Sequence, residues 1–129
     1  FGGTRPNRFS KGYYVMPTLF ENVDMATQLA MDEIFGPVAI VHNFKKEEEA
    51  IKMANAYDTG LVVGIYSENI SRSLNLSRNL DFGSVWINGW FIGGLQAPTG
   101  GVKMSGIGRE RGMPGIHNYL YIKNTGVHL

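Results

Sequence analysis

The chain has 129 residues, 43% hydrophobic and 18% charged, with no cysteine and a net charge of +1. That balance gives no global field for nucleic acid or anionic lipid, and the missing cysteine excludes disulfides, thiolate metal sites and a thiol nucleophile within these residues. No apolar run reaches the ~20 residues of a membrane-spanning helix and no signal peptide is visible, so one soluble cytoplasmic domain is the expectation.

The chain opens on Phe1 rather than methionine, which suggests a piece of something longer. Residues 1–12, polar and punctuated by glycine, read as a loose lead-in. "YYVMPTLF" (Tyr13 to Phe20) is β-branched and aromatic and reads as a strand, which Pro17 confines to an edge or breaks. "NVDMATQLAMDEIFGP" offers Asp24 as an N-cap, then helix formers, then Gly36 and Pro37 as a stop. "VAIVHNF" (Val38 to Phe44) is an almost unbroken apolar run, as in a strand buried on both faces.

Lys45 to Tyr57 places Ala50, Ile51, Ala54 and Tyr57 on one helical face. Asp58, Thr59 and Gly60 then turn the chain into "LVVGIYS", a further strand. Glu68 to Leu80 reads as a helix with Ile70, Leu74, Ser77 and Leu80 in register and Ser67 as its N-cap. "GSVWIN" (Gly83 to Asn88) is the next strand. The alternation predicts an α/β fold, a parallel sheet with βαβ crossovers between layers of helix. More than half of the 17 glycines fall between Gly89 and Gly115, a shaped loop of the kind that carries function. In the tail, Tyr119, Tyr121 and Lys123 alternate with Leu120 and Ile122, predicting a sheet-edge strand with one wet face.

Three stretches offer chemistry. In "EIFGP", Glu33 and Phe35 project to the same side of an extended backbone just before a buried strand. A carboxylate accepts two hydrogen bonds from a vicinal diol and a phenyl face packs on a flat heterocycle, which together suit a nicotinamide riboside. The competing reading is a solvated acid beside a core phenylalanine.

"INGWFIGG" sets Trp90 and Phe91 just past a strand end, where open α/β sheets bind ligands. Lining a mouth and capping the core are the two readings, and Trp86 reads as core. "APTGGVKMSGIGRERG" matches neither the dinucleotide fingerprint nor a P-loop. Lys103, Arg109 and Arg111 could hold a phosphate or simply be solvated. Gly100, Gly101, Gly106 and Gly108 read as points where backbone segments approach closely, and Glu110 as an ion-pair member between two arginines. His42, His117 and His128 share no metal spacing.

The order "GYYVMPTLF", "DEIFGPV", "SVWIN", "PTGGVKMSGIGRERG" resembles the C-terminal part of the NAD(P)-dependent aldehyde dehydrogenases, over nearly the whole chain. The resemblance implies an incomplete catalytic domain over 13–115 and an oligomerisation strand over 116–129. It implies that Glu33 hydrogen-bonds the nicotinamide ribose and Phe35 contacts the nicotinamide of NAD or NADP. It implies that Asn88 leads into the substrate-side loop, where Trp90 and Phe91 are taken as the substrate-side lining. Glu110 resembles a glutamate proposed to help relay protons. The parent would oxidise an aldehyde to a carboxylic acid through a cysteine thioester. Its nucleophile, general base and cofactor domain would all lie upstream, so this chain alone should be inactive. Thr99 and Gly93 depart from aromatic residues found in many members. A homo-oligomer formed through the terminal strand is expected, with neither nucleic acid nor membrane as partner. The alternative is a non-catalytic association module pairing through that edge strand.

Overall fold

Two parallel strand–helix–strand motifs organise the chain. The computed structural model describes all residues, 1–129, in two compact units, Phe1–Met53 and Ala54–Leu129.

In the first unit, β1 (Thr18–Glu21) pairs in parallel with β2 (Val38–Val41), Thr18 opposite Val38 and Glu21 opposite Val41. β1 begins only after Pro17, as a residue lacking an N–H requires. The lead-in is not loose at its start. Phe1 and Leu19 exchange backbone hydrogen bonds of 3.0 and 2.8 Å, and the Gly3 N–H donates to Thr18 Oγ1 at 2.8 Å.

Between the strands stands α1 (Gln28–Met31), one turn long, with Ala30 buried. Its N-cap is Thr27, not Asp24. Asp24 Oδ1 instead accepts the Ala26 N–H at 2.9 Å, in an Asx turn ahead of the helix.

α2 (Glu47–Asn55) follows β2, three glutamates in its first turn complementing the helix dipole. The Lys45 N–H donates to Glu49 Oε2 at 2.9 Å and fixes the helix start.

In the second unit, β3 (Thr59–Gly60) forms a two-residue antiparallel pair with β6 (Val102–Lys103). β4 (Val62–Ile65) and β5 (Ser84–Ile87) are parallel neighbours, connected through α3 (Ile70–Ser77). Trp86 of β5 is the buried ring of this unit.

Asn69, not Ser67, caps α3, its Oδ1 accepting the Arg72 N–H at 3.0 Å. The buried face of α3 is centred on Ser73, which is 0% exposed, while Ile70 and Leu74 stand outward. Ser73 tolerates this because its hydroxyl donates to Asn69 O at 3.2 Å.

The fold is mixed α/β with parallel strands, but its ladders are three two-stranded sheets rather than one continuous sheet. β2 and β4 belong to different compact units, and each pairs within its own.

The chain ends with α4 (Gly112–His117), after which Tyr119 and Leu120 close turns onto Ile116 and His117 at 3.0 and 3.2 Å. The edge strand expected over Tyr119–Ile122 is not formed, because a strand exists only through a hydrogen-bonded neighbour and the tail finds none within the chain.

Candidate functional site

Glu33 and Phe35 occupy the segment joining α1 to β2. Asp32 ends the helix in an extended conformation, and its carboxylate accepts from Gln28 Nε2 at 2.6 Å. The acid next to Glu33 is thereby tied back to the helix, while Glu33 stays exposed.

Two three-residue turns then bend the chain, with Gly36 N–H to Ile34 O at 2.9 Å and Val38 N–H to Gly36 O at 2.8 Å. They set the Phe35 ring outward, 94% exposed. Pro37 O accepts the Thr18 N–H at 2.8 Å, anchoring this bend to the start of β1. The reading of Phe35 as a core residue therefore fails within this chain. What remains is a ring and a carboxylate, both exposed, on a bend pinned at each end. That arrangement offers acceptor atoms to a diol and an apolar face to a planar ring.

In the second unit, the end of β5 is closed by Asn88. Its side chain donates to Ser67 O and accepts the Ser67 N–H, both at 2.8 Å, extending the β4–β5 pairing by a side-chain rung. Asn88 adopts φ 55°, a left-handed conformation that asparagine tolerates better than most residues. The chain turns sharply there, and Trp90 and Phe91 fold back onto Trp86.

The Trp86–Trp90 ring centroids lie 4.7 Å apart, edge-on, and those of Trp86–Phe91 5.0 Å apart. These rings thus cap the buried tryptophan. Phe91 also borders a cleft of about 230 Å³, shared with Ser84, Thr99 and Arg111. Trp90 lies over Gly64, where a β-carbon would come within 3.2 Å of its ring.

The glycine-rich segment is a closed loop. Thr99 and Glu110 exchange backbone hydrogen bonds of 2.8 and 2.7 Å across its base. Arg109 Nη1 donates to Gly101 O and Gly108 O at 2.7 and 2.6 Å across its waist. Lys103 Nζ donates to Asn55 O and Tyr57 O, both at 3.0 Å. Two of the three cations, for which a phosphate or solvent was the expected partner, are therefore engaged with main-chain carbonyls.

Arg109 directs its guanidinium to those carbonyls rather than to Glu110, whose ion-pair role is not formed. Gly100 does mark a close approach: a β-carbon on Gly83 would sit 1.6 Å from Gly100 O. Gly108 does so too, because a β-carbon on Gly100 would sit 2.7 Å from Gly108 O, while Gly106 does not. Gly106 and Gly108 take φ of 123° and 86°, and so serve the turn itself.

Glu110 borders two grooves, one of about 880 Å³ with Leu95, Arg111, Met113 and Ile116, the other of about 540 Å³ with Thr99, Ser105 and Arg109. The anchoring roles of Asn88, Lys103 and Arg109 were not legible in the sequence. Its only hint is a few polar residues placed where glycines set the backbone.

The family model "Aldehyde dehydrogenase family" matches residues 1–125. The chain belongs to the aldehyde dehydrogenase family. It is 43% identical to the chloroplastic betaine aldehyde dehydrogenase of Atriplex hortensis over 124 residues, 96% of this chain and 25% of that protein. It is 41% identical to an aldehyde dehydrogenase of Emericella nidulans over 128 residues, 99% of this chain and 25% of that protein.

Among solved structures, betaine aldehyde dehydrogenase from Staphylococcus aureus in complex with NAD+ superposes with a TM-score of 0.87 at 40% identity, covering 94% of this chain and 24% of that one. The NAD+ complex of aldehyde dehydrogenase from Bacillus cereus gives 0.84 at 41%, covering 92% and 24%. The chain thus spans about a quarter of the length of the relatives it matches, and these matches do not favour a stand-alone association module. Relatives include enzymes named cytosolic as well as chloroplastic, and no helix here is long and apolar enough to cross a membrane.

Proposed function

We propose that this chain is the C-terminal part of an NAD- or NADP-dependent aldehyde dehydrogenase, supplying the grip on the nicotinamide end of the coenzyme and part of the substrate wall. The observation that carries this reading is the exposure of Phe35 beside Glu33 on a bend pinned at both ends. A phenyl ring left in water forgoes ~1.5–3 kcal/mol of burial, and a docking planar ring would recover part of it.

When bound, the dinucleotide supplies the hydride acceptor. Glu33 accepts hydrogen bonds from the vicinal hydroxyls of the ribose, and Phe35 presents a flat apolar face to the pyridine ring. Holding both parts from one short segment would fix how the ring is turned, and such orientation is part of what a protein contributes to hydride transfer. Trp90 and Phe91 line the substrate side. Glu110, bordering two grooves, moves protons between the site and solvent. The chain has no cysteine, so the nucleophile that attacks the aldehyde comes from outside these residues. The tail, 116–129, is the association segment, becoming a strand when a neighbouring subunit supplies its pairing partner.

The test uses the full-length protein that carries this chain. Glu33→Gln is expected to raise KM for the dinucleotide roughly 10- to 100-fold, the equivalent of the ~1.5–3 kcal/mol of a hydrogen bond to a charged group. Phe35→Ala is expected to lower kcat. Unchanged dinucleotide kinetics in both variants sinks the assignment. The 129-residue chain alone is expected to give no reduced nicotinamide with any aldehyde, so turnover by the chain itself contradicts the proposal.

A further inference from the structure

We propose that Lys103 is a positioning residue for the same reaction: its ammonium locks the Thr99–Glu110 loop so that Glu110 keeps one geometry during turnover. The proposal rests on the dehydrogenase reading and adds to it a residue that touches neither substrate nor coenzyme.

It starts from a backbone anomaly. Lys103 adopts φ 54°, a conformation in which a β-carbon is crowded and glycine is the unstrained choice. The segment uses glycine freely elsewhere, at Gly100, Gly101, Gly106 and Gly108. A lysine held in this region persists only where its surroundings over-determine it, and such residues cluster at functional positions.

The side chain supplies the surroundings. Lys103 Nζ donates to Asn55 O and Tyr57 O at 3.0 Å each. Asn55 is the last residue of α2, where carbonyls lack donors from their own helix and the dipole favours a cation. The ammonium also lies 5.9 Å from the centroid of the Phe82 ring. Around it, Met104 N–H donates to Asp58 O and Gly60 N–H to Ser105 Oγ, both at 2.8 Å.

The tip of the loop is thus fastened to residues 55–60. Behind the tip the loop is stiff, braced by Arg109 on the Gly101 and Gly108 carbonyls and by the Thr99–Glu110 exchange. A stiff loop held at its tip transmits any movement there to its base, where Glu110 sits. The same movement presses Gly100 against Gly83, directly ahead of β5, because these backbones already touch. Lys103 therefore bears on Glu110 through this loop.

The experiment compares Lys103→Met, Lys103→Gly and Lys103→Arg in the full-length protein, reading steady-state kinetics and amide hydrogen exchange over residues 99–110. In Lys103→Met, exchange at Met104 and Glu110 should quicken about tenfold. Its kcat should fall about tenfold, with KM for the dinucleotide unchanged. Lys103→Arg, which keeps a cationic donor of similar reach, should restore both. Lys103→Gly relieves the backbone strain and should still behave like the methionine variant.

An active wild type whose methionine variant keeps its kcat overturns the positioning role, whatever the exchange shows. Recovery by glycine as complete as by arginine also overturns it, since the ammonium then contributes nothing. A wild type without turnover overturns the dehydrogenase reading, and the positioning role with it. If the methionine variant does not fold, Lys103→Gln takes its place with the same outcomes.

Discussion

At the residue scale, two glycines with similar sequence surroundings differ in what they do. A β-carbon on Gly83 would meet the Gly100 carbonyl oxygen at 1.6 Å, a backbone atom within an anchored loop. On Gly64 it would meet the Trp90 ring at 3.2 Å, the outer part of a half-exposed side chain that can tilt. Gly83→Ala is expected to destabilise the protein by at least the ~1–3 kcal/mol of an overpacked core. Gly64→Ala should cost well under half of that. Thermal melts of the two variants check the contrast, and equal losses would show that the loop yields as easily as the ring. Neither outcome was readable beforehand, because "GSVWIN" and "LVVGIYS" place each glycine beside an apolar strand and say nothing of what crosses it.

At the element scale, α3 depends on its cap more than on its apolar register. Asn69 Oδ1 on the Arg72 N–H satisfies one of the first-turn donors that no helix serves internally. Asn69→Ala should cost about 1 kcal/mol, seen as a lower denaturant midpoint; Ser67→Ala should cost less. The sequence pointed to Ser67 because serine precedes the first helix formers, two residues too early. Such displacement is typical of what was and was not legible. β2, α2, β4, α3 and β5 were all readable, since an apolar run or a 3.6-residue period leaves a mark several residues long.

The β3–β6 pair was missed because a two-residue ladder has no period, and Gly60, one of its residues, lies so close to Asp81 O that a β-carbon would come within 2.5 Å. The candidate site divides the same way. The spacing of Glu33 and Phe35 was visible and its meaning was not, until the γ-turns at Ile34–Gly36 and Gly36–Val38 set the ring outward. Lys103 and Arg109 carried charge in the sequence, but the carbonyls that absorb it lie as many as 48 residues away.

At the scale of the whole molecule, the dominant fact is uncovered apolar surface. The only buried apolar side chains are Ala30 and Trp86, at 3% and 9% exposure. The exposed apolar side chains include Leu19 and Val41 on the β1–β2 sheet and Tyr119 to Ile122 on the tail. Parallel strands with an open face and an open edge are templates for further pairing, and exposed apolar area of this extent drives association. The chain on its own is therefore expected to self-associate, its mean mass rising with concentration in size-exclusion chromatography with light scattering. Association through the tail should weaken when Tyr121 and Ile122 are replaced by lysine, because charge at an open strand edge blocks further pairing. Association through the sheet faces should persist in that variant and weaken with Leu19→Lys instead. A mass that stays monomeric at every concentration would mean that water tolerates these faces, and would count against association through either the tail or the sheet.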